Sequence, residues 1–425
     1  MYSGFDLFTG SGTIGGLFAN AFSFALSVWP LWVGPILVYI LIKVYMDYAE
    51  DRFRDRMRAG AVLLEIKFPQ EVLKSPMAME VVIQGLWHTN GETNWYKMHF
   101  EGSRRPWFAL ELVSLGGKIH FYIWAFGNMK GYLESYVYSQ YPGAEVVLAE
   151  DYTKKIGYDK GVTDMWCCEF ELVKPSPVPV KSYLDYGLDK SDLEDENRVD
   201  PLLQQLEYLG QIGPNEQVWV QYVIKSHKAE KLVKMDGKDK KGNKIKVWKK
   251  VDWAYDAKLE IDRMKKLVEP KVEGGAPGRH TKGELEYMYA MERSLNKNAF
   301  DTRIRVIYIA PVANFNAGYG ASLAGLMTPF GAGNFNGLRP CKGMKKFNYP
   351  WEETEREKDK EKRKHLAGYR NRSYGYPPFK KGDKPFVMNT ETLATLFHVP
   401  GSPGLNPAID RVASKKSEAP ANLPI

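Results

Sequence analysis

From Asp6 to Lys43 the sequence carries no charged side chain, and from about Leu17 to Ile42 it is dense in Phe, Leu, Val, Ile and Trp. A helix rises about 1.5 Å per residue, so roughly 20 such residues cross a hydrocarbon layer of about 30 Å. The pattern predicts a transmembrane helix over 17–42, kinked at Pro30 and Pro35 rather than broken, because lipid forces backbone groups to stay paired. Only Asp6 precedes the span, whereas Lys43, Arg52, Arg54, Arg56 and Arg58 follow it as a basic juxtamembrane group. The positive-inside rule then places residues 1–16 outside and the body in the cytoplasm, a single pass through an inner membrane. A cleaved signal peptide would need a basic start and a small-residue cleavage site after a short apolar core, and neither is evident.

Past a charged connector at 43–59 the period of the pattern changes. Residues 61–68 (AVLLEIKF) read as a strand, 75–87 as a helix, and 107–114 (WFALELVS) as a strand. Leu115-Gly116-Gly117 signals a tight turn into a partner strand at 118–125. Asn128 is placed to cap a helix to Tyr141, Pro142-Gly143 ends it, and 145–148 closes the unit as a strand. The order βαββαβ, over 60–152, is the ferredoxin-like arrangement.

The second half repeats this order after a linker over 153–182 that holds the Pro-rich stretch 175–180. Strands are expected at 166–173, 217–225 and 302–310, with 384–388 as the last. Helices are expected at 201–209, capped by Asp200, and at 313–326. An insertion at 225–300 interrupts this second α+β domain, 183–400. Its arms at 253–267 and 282–295 form a helical hairpin around the flexible tip Gly274–Gly278. Residues 352–364 balance six acids against six bases, the pattern of a solvated helix face. Residues 401–425 read as a flexible tail. The expected fold class is α+β: a transmembrane helix, then two ferredoxin-like units, the second with the helical-hairpin insertion.

Patterns for catalysis are missing. Residues 237–244 and 278–285 each approach a P-loop, but neither ends in the Lys-Ser/Thr that completes a phosphate and magnesium site. Gly320 to Ala324 lacks the second glycine of a nucleophile elbow. The seven histidines show no i, i+4 pairing and no carboxylate arranged with them as a ligand set. Cys167 and Cys168 sit on a strand as small hydrophobes, and three cysteines make no disulfide framework. Six glycines lie between Ala317 and Gly337, where Ala317, Ala321 and Gly325 form a small-residue stripe suited to helix packing rather than a phosphate cradle. The expectation is a protein that is not an enzyme, with no catalytic residue, cofactor or metal.

Charge supplies the one binding candidate. The chain holds 59 Lys plus Arg against 51 Asp plus Glu, and residues 225–250 alone hold 11 Lys and 3 acids, so the remainder is balanced. Lys225, Lys228, Lys231, Lys234, Lys238, Lys240, Lys241, Lys244, Lys246, Lys249 and Lys250, interleaved with Trp248, suit the phosphates of nucleic acid, anionic lipid or an acidic protein. They equally suit a solvated β-hairpin whose lysines guard an exposed edge.

Three stretches carry a resemblance: AVLLEIKFPQEVLKSPMAMEVVIQGLW from Ala61, WFALELVSLGGKIHFYIWAFGNMKGYLESYVYSQYPGAEVVLAEDY over 107–152, and FVMNTETLATLFHVPGSPGLNP over 386–407. Together they resemble the membrane-anchored N-terminal region of bacterial type IV secretion and conjugation ATPases of the coupling-protein, HerA-like kind. In that family the element matching Asn389–Leu396 precedes a Pro-rich link and the P-loop motor, whereas this sequence stops at EAPANLPI, about where the motor would begin. The resemblance implies a non-catalytic, membrane-anchored adaptor that docks a separately encoded, DNA-translocating P-loop ATPase. The partners it implies are membrane lipid, that ATPase, DNA and further copies of the chain in a homo-oligomer. The alternative is a membrane-tethered protein that binds nucleic acid through residues 225–250.

Overall fold

Gly116-Gly117 is a two-residue hairpin loop closed by the Leu115↔Lys118 pair, and both glycines have positive φ, 59° and 88°. That geometry matches the right-handed twist of paired strands and fixes their register. A computed structural model of the chain shows the result. It describes residues 18, 21–24, 27, 29–69, 74–190, 199–229, 231–238, 244–266, 280–331, 333–343, 354–374, 385–401 and 408–411. In chain order the elements are α1 (Trp29–Ala59), β1 (Ala61–Lys67), α2 (Met77–Gly85), α3 (Trp95–His99), β2 (Trp107–Leu115), β3 (Lys118–Phe126), α4 (Lys130–Gln140), β4 (Glu145–Ala149) and β5 (Thr163–Leu172). There follow α5 (Pro201–Gly210), β6 (Gln217–Ser226), β7 (Lys231–Lys238), β8 (Lys244–Val251), α6 (Trp253–Lys266), α7 (Lys282–Leu295) and β9 (Ala299–Pro311). The last are α8 (Ala317–Ser322), β10 (Leu338–Gly343), α9 (Thr354–Arg370), β11 (Phe386–Asn389) and α10 (Thr390–Leu396).

These elements form two compact units, Met1–Met57 with Gly91–Arg104, and Arg58–Asn90 with Arg105–Ile425. In the smaller unit the Phe100 ring lies 5.9 Å from Tyr45 of α1. Arg104 Nη2 donates to Glu50 Oε2 at 2.6 Å. Gly102 (φ +69°) passes so close that a Cβ there would meet the Ala49 carbonyl oxygen at 2.2 Å.

The larger unit is built on a nine-stranded sheet in the order β10-β5-β9-β6-β2-β3-β1-β4, with β11 also pairing β9. All its pairings are antiparallel. The run β4-β1-β3-β2 is the strand order of a βαββαβ unit, and β10-β5-β9-β6 is the same order again. The halves meet edge to edge through β2 and β6, whose register runs from Trp107↔Lys225 to Leu115↔Gln217 with Glu111↔Gln221 midway. One face is the apolar core. Phe108, Leu110, Leu112, Phe121, Ile123, Tyr222, Ile224 and Ile304 pack there against α2, α4 and α5 through Met79, Ile83, Leu133 and Leu206.

The N-terminal expectation is overturned. α1 is apolar only from Trp29 to Ile42, about 21 Å at 1.5 Å per residue, and from Lys43 it is a charged helix. Among the described residues no helix is long and apolar enough to cross a membrane. The span at 17–42, the transmembrane part of the fold class and the inner-membrane placement therefore fall together; residues 17, 19–20, 25–26 and 28 lie outside the described residues. The basic group beyond it belongs to ordinary helix chemistry. Arg54 pairs with Glu50 at 3.4 Å and with Asp51, Lys43 lies over Tyr39, and Arg52 and Arg56 are exposed.

Other corrections concern coverage of the sheet. The balanced run in α9 presents the expected solvated face, with 355–357, 360, 363 and 364 exposed. The other side of the helix is seated by buried Lys362, Leu366 and Tyr369, a lysine and a tyrosine both burying long apolar stems. The strand that completes the second half is β10, whereas the expected last strand is β11, which pairs with Ala299–Thr302 of β9. The helix expected at 313–326 shrinks to α8 and is followed by 3₁₀ turns. Gly320 within it packs so closely that a Cβ would meet Trp166 Cβ at 2.9 Å, so single-site packing replaces the small-residue stripe. Asn128 falls inside a 3₁₀ turn and caps nothing. The tail is anchored at 408–411, which bridges in parallel to Ile119 and Phe68. The rest of 402–425 lies outside the described residues.

Candidate functional site

The lysine segment contains a two-stranded sheet, the β-hairpin that was one of its expected readings. β7 and β8 pair from Lys231↔Val251 to Lys238↔Lys244. Alternation along each strand assigns residues of equal parity to one face. Positions 232, 234, 236 and 238 of β7 share a face with 244, 246, 248 and 250 of β8. The positions of Lys234, Lys238, Lys244, Lys246 and Lys250 share that face with those of Trp248, Asp236 and Leu232. The opposite face holds Val233, Met235, Ile245, Val247 and Val251, with Lys231 and Lys249. Lys246 and Trp248 are exposed.

Not all eleven lysines join this face. Lys225 ends inside β6, its Nζ 4.4 Å from the centre of the Tyr374 ring. Lys228 lies in the connection to β7, and Lys240 and Lys241 are outside the described residues. The ribbon leads directly into α6 and α7, the expected helical hairpin. It is joined by Lys265 to Glu292 at 3.2 Å and started at α7 by a Thr281/Glu284 capping box.

On the sheet face opposite the apolar core the structure brings together residues that sequence reasoning passed over. Strand register aligns Glu65, Tyr122, Glu111, Gln221, Arg305 and Glu169 in one row across six strands. Gln221 Nε2 donates to Glu111 Oε1 at 2.8 Å, and Arg305 Nη1 donates to Gln221 Oε1 at 2.9 Å. Arg372, just beyond α9, donates to Glu111 Oε1 at 3.0 Å and reaches Asp151 at 2.6 Å. Tyr152 donates to Glu111 Oε2 at 2.8 Å, and its hydroxyl lies 2.8 Å from that of Tyr369.

Electrostatics follow from burial. Removal from water lowers the Arg305 guanidinium to about 10, still cationic at neutral pH. Burial also acts against the charge of Arg372, but Glu111 and Asp151 hold it more firmly protonated than usual. Burial and the Glu111 charge push the Tyr152 and Tyr369 hydroxyls far up. Glu111, Gln221, Tyr152, Tyr369 and Arg372 are all buried, so the middle of the row meets protein. Its effect is to fix α9 and residues 371–374 across the junction of the halves. The available signal was the lone polar residue midway along each apolar strand: LLEIK, ALELV, WVQYV, RIRVI.

The histidines are paired with carboxylates across the fold. His120 Nδ1 lies 2.7 Å from Glu65 and 3.8 Å from Asp410. His227 is 2.6 Å from Asp301, and His398 is 2.9 Å from Asp200. The partners were invisible because each is supplied by a distant segment. Lys67 Nζ lies 2.9 Å from Asp410. That hydrogen bond raises the lysine further, against the pull of burial. The helix α10 is wholly buried. Asn389 caps it, and Arg293 donates to both oxygens of Glu391 at 3.0 and 3.1 Å.

No family model matches the chain, and no curated protein matches it.

Proposed function

We propose that this protein binds nucleic acid through the basic face of the β7–β8 ribbon, carried on the nine-stranded sheet. The observation that supports this reading is the register that gathers five lysine positions and Trp248 on one face. Residues of one face recur about every 6.8 Å along a strand, and strands lie about 4.8 Å apart. The five positions therefore fall within a strip of roughly 20 by 5 Å. Each phosphate neutralised there releases counterions, which drives association. Trp248, 62% exposed, offers a ring on which an unpaired base can stack. A two-stranded ribbon also has a width that the major groove of a duplex admits. Fluorescence anisotropy with labelled duplex and single-stranded oligonucleotides tests this. Binding of neither, or binding only of anionic vesicles, defeats it.

A second reading is docking of a separately encoded DNA-translocating ATPase. The exposed apolar side chains of α1, among them Leu37, Leu41, Val44 and Tyr48, favour it, because contiguous exposed apolar surface marks partner sites. Affinity capture from cells that yields no P-loop ATPase counts against it.

A further inference from the structure

We propose that Glu65, His120 and Asp410 form a binding site for a divalent transition-metal ion, zinc by preference, which ties the C-terminal segment to the sheet. This proposal is independent of the nucleic-acid reading.

The three residues come from segments far apart in sequence and are positioned by backbone pairing. Glu65 and His120 stand on the adjacent strands β1 and β3, on the face away from the apolar core. Asp410 is delivered by residues 408–411, which lie alongside the start of β3. There Ile119 N donates to Ala408 O at 2.6 Å, and Asp410 N donates to Ile119 O at 2.9 Å. A ligand set held on sheet backbone is more exact than one on a loop.

One ligand atom from each residue lies within 4.8 Å of the other two. An imidazole nitrogen with two carboxylate oxygens is a donor set suited to zinc, with bonds of about 2.0–2.2 Å. In tetrahedral geometry such bonds hold ligand atoms roughly 3.3 Å apart, and the observed 2.7 and 3.8 Å separations bracket that value. The side chains retain 15%, 13% and 31% of their exposure for His120, Glu65 and Asp410, so water can complete the coordination.

Charge points the same way. Lys67 offsets one of the two carboxylates, at 2.9 Å from Asp410. The row across the sheet offers an internal comparison for the other. Glu169 holds the position in the second half that Glu65 holds in the first, and Arg305, its row neighbour, lies 3.7 Å away as a permanent cation. The row neighbour of Glu65 is Tyr122, which carries no positive charge. An ion at Glu65, His120 and Asp410 supplies what Arg305 supplies to Glu169.

The test uses the full chain stripped of metal with a chelator and titrated with cobalt(II), followed by its visible ligand-field absorption and then by zinc displacement. One equivalent is expected to bind. His120→Ala and Asp410→Asn should each abolish the band or weaken binding at least tenfold. His227→Ala, which removes an ordinary histidine–carboxylate pair, should leave it unchanged. Zinc should also slow proteolysis after residue 400 in the parent chain but not in Asp410→Asn. Circular dichroism monitors folding, and if His120→Ala does not fold, Asp410→Asn and Glu65→Gln decide. Absence of the band, or its survival in these variants, would reduce the three residues to an ion-paired cluster and overturn the proposal.

Discussion

Replacing Lys234, Lys246 and Lys250 by glutamine separates a phosphate-binding face from a merely basic segment. If the five lysines of that face each neutralise one phosphate, the slope of log affinity against log salt is about −4.5 on duplex DNA, at about −0.9 per contact. Between 50 and 200 mM salt the parent should then weaken roughly 500-fold. With two contacts left the slope falls to about −1.8 and the loss over the same range to roughly 12-fold. Lys231 and Lys249 share the opposite face, so Lys231→Gln with Lys249→Gln should move the slope by less than about one unit. The assay is anisotropy of a labelled duplex across a salt series, with circular dichroism to show that both variants fold. Equal slope changes from the two faces would show that register does not organise binding. A parent slope shallower than about −1 would refute phosphate contact itself.

Arg372→Met leaves Glu111, fully buried, without its guanidinium. Breaking a buried pair on one side costs about 3–5 kcal/mol, measurable by urea denaturation, and a loss under about 1 kcal/mol would contradict the network. A second expectation concerns acid. Burial raises the Asp151 carboxyl, but hydrogen bonds and charge from Arg372, with Thr153, bring it below its usual value. Burial also raises Asp200, and His398 brings it below. Groups depressed in the folded state stabilise it above the unfolded value near 4 and lose that contribution as pH falls through their folded values. Stability should therefore drop below about pH 4, and Asp151→Asn should flatten the drop. Thiol chemistry offers the last test. Cys341 is exposed while Cys167 and Cys168 are buried, and burial pushes the Cys167 thiol up to about 12. A thiol reagent should label one cysteine quickly in the native protein and all three only after unfolding.

Period-two patterning was strong where strands face a core on one side, and the hairpin at 107–125 could be placed within a residue because two glycines announce its turn. The helical arms of the insertion were equally legible from their apolar spacing. The ribbon that precedes them stood only as one alternative reading of the lysines, because lysine count carries no pairing information until the register is known. Its face was therefore unreadable although every lysine on it, and Trp248, had been singled out. In α9 alternating charge marked the solvated face but not which stems on its other side are buried. The partners of His120, His227 and His398 come from other segments, and neighbouring sequence cannot reveal a carboxylate 55, 74 or 198 residues away. α1 erred in length. Its apolar run was read as continuous with the stretch before it, whereas the part described as helix from Trp29 reaches its first charge at Lys43.

The row across the sheet explains how the two halves can share one surface. β2 and β6 are the corresponding edge strands of their units, so their pairing relates Glu111 to Gln221, Tyr122 to Arg305 and Glu65 to Glu169. At the junction the two central residues touch, with Gln221 Nε2 donating to Glu111 Oε1. Two carboxylates in these positions would repel in a buried site, and one would have to take up a proton. An amide on one side and a carboxylate on the other lets the donor of Gln221 meet Glu111 while its oxygen accepts from Arg305. The halves thus match in strand order but must differ in chemistry where they meet. That difference gives the row a direction, with an excess of carboxylate towards Glu65 and a fixed cation towards Glu169. The end of the row without an arginine is the one to which the C-terminal segment brings a further carboxylate, Asp410, beside His120 and Lys67.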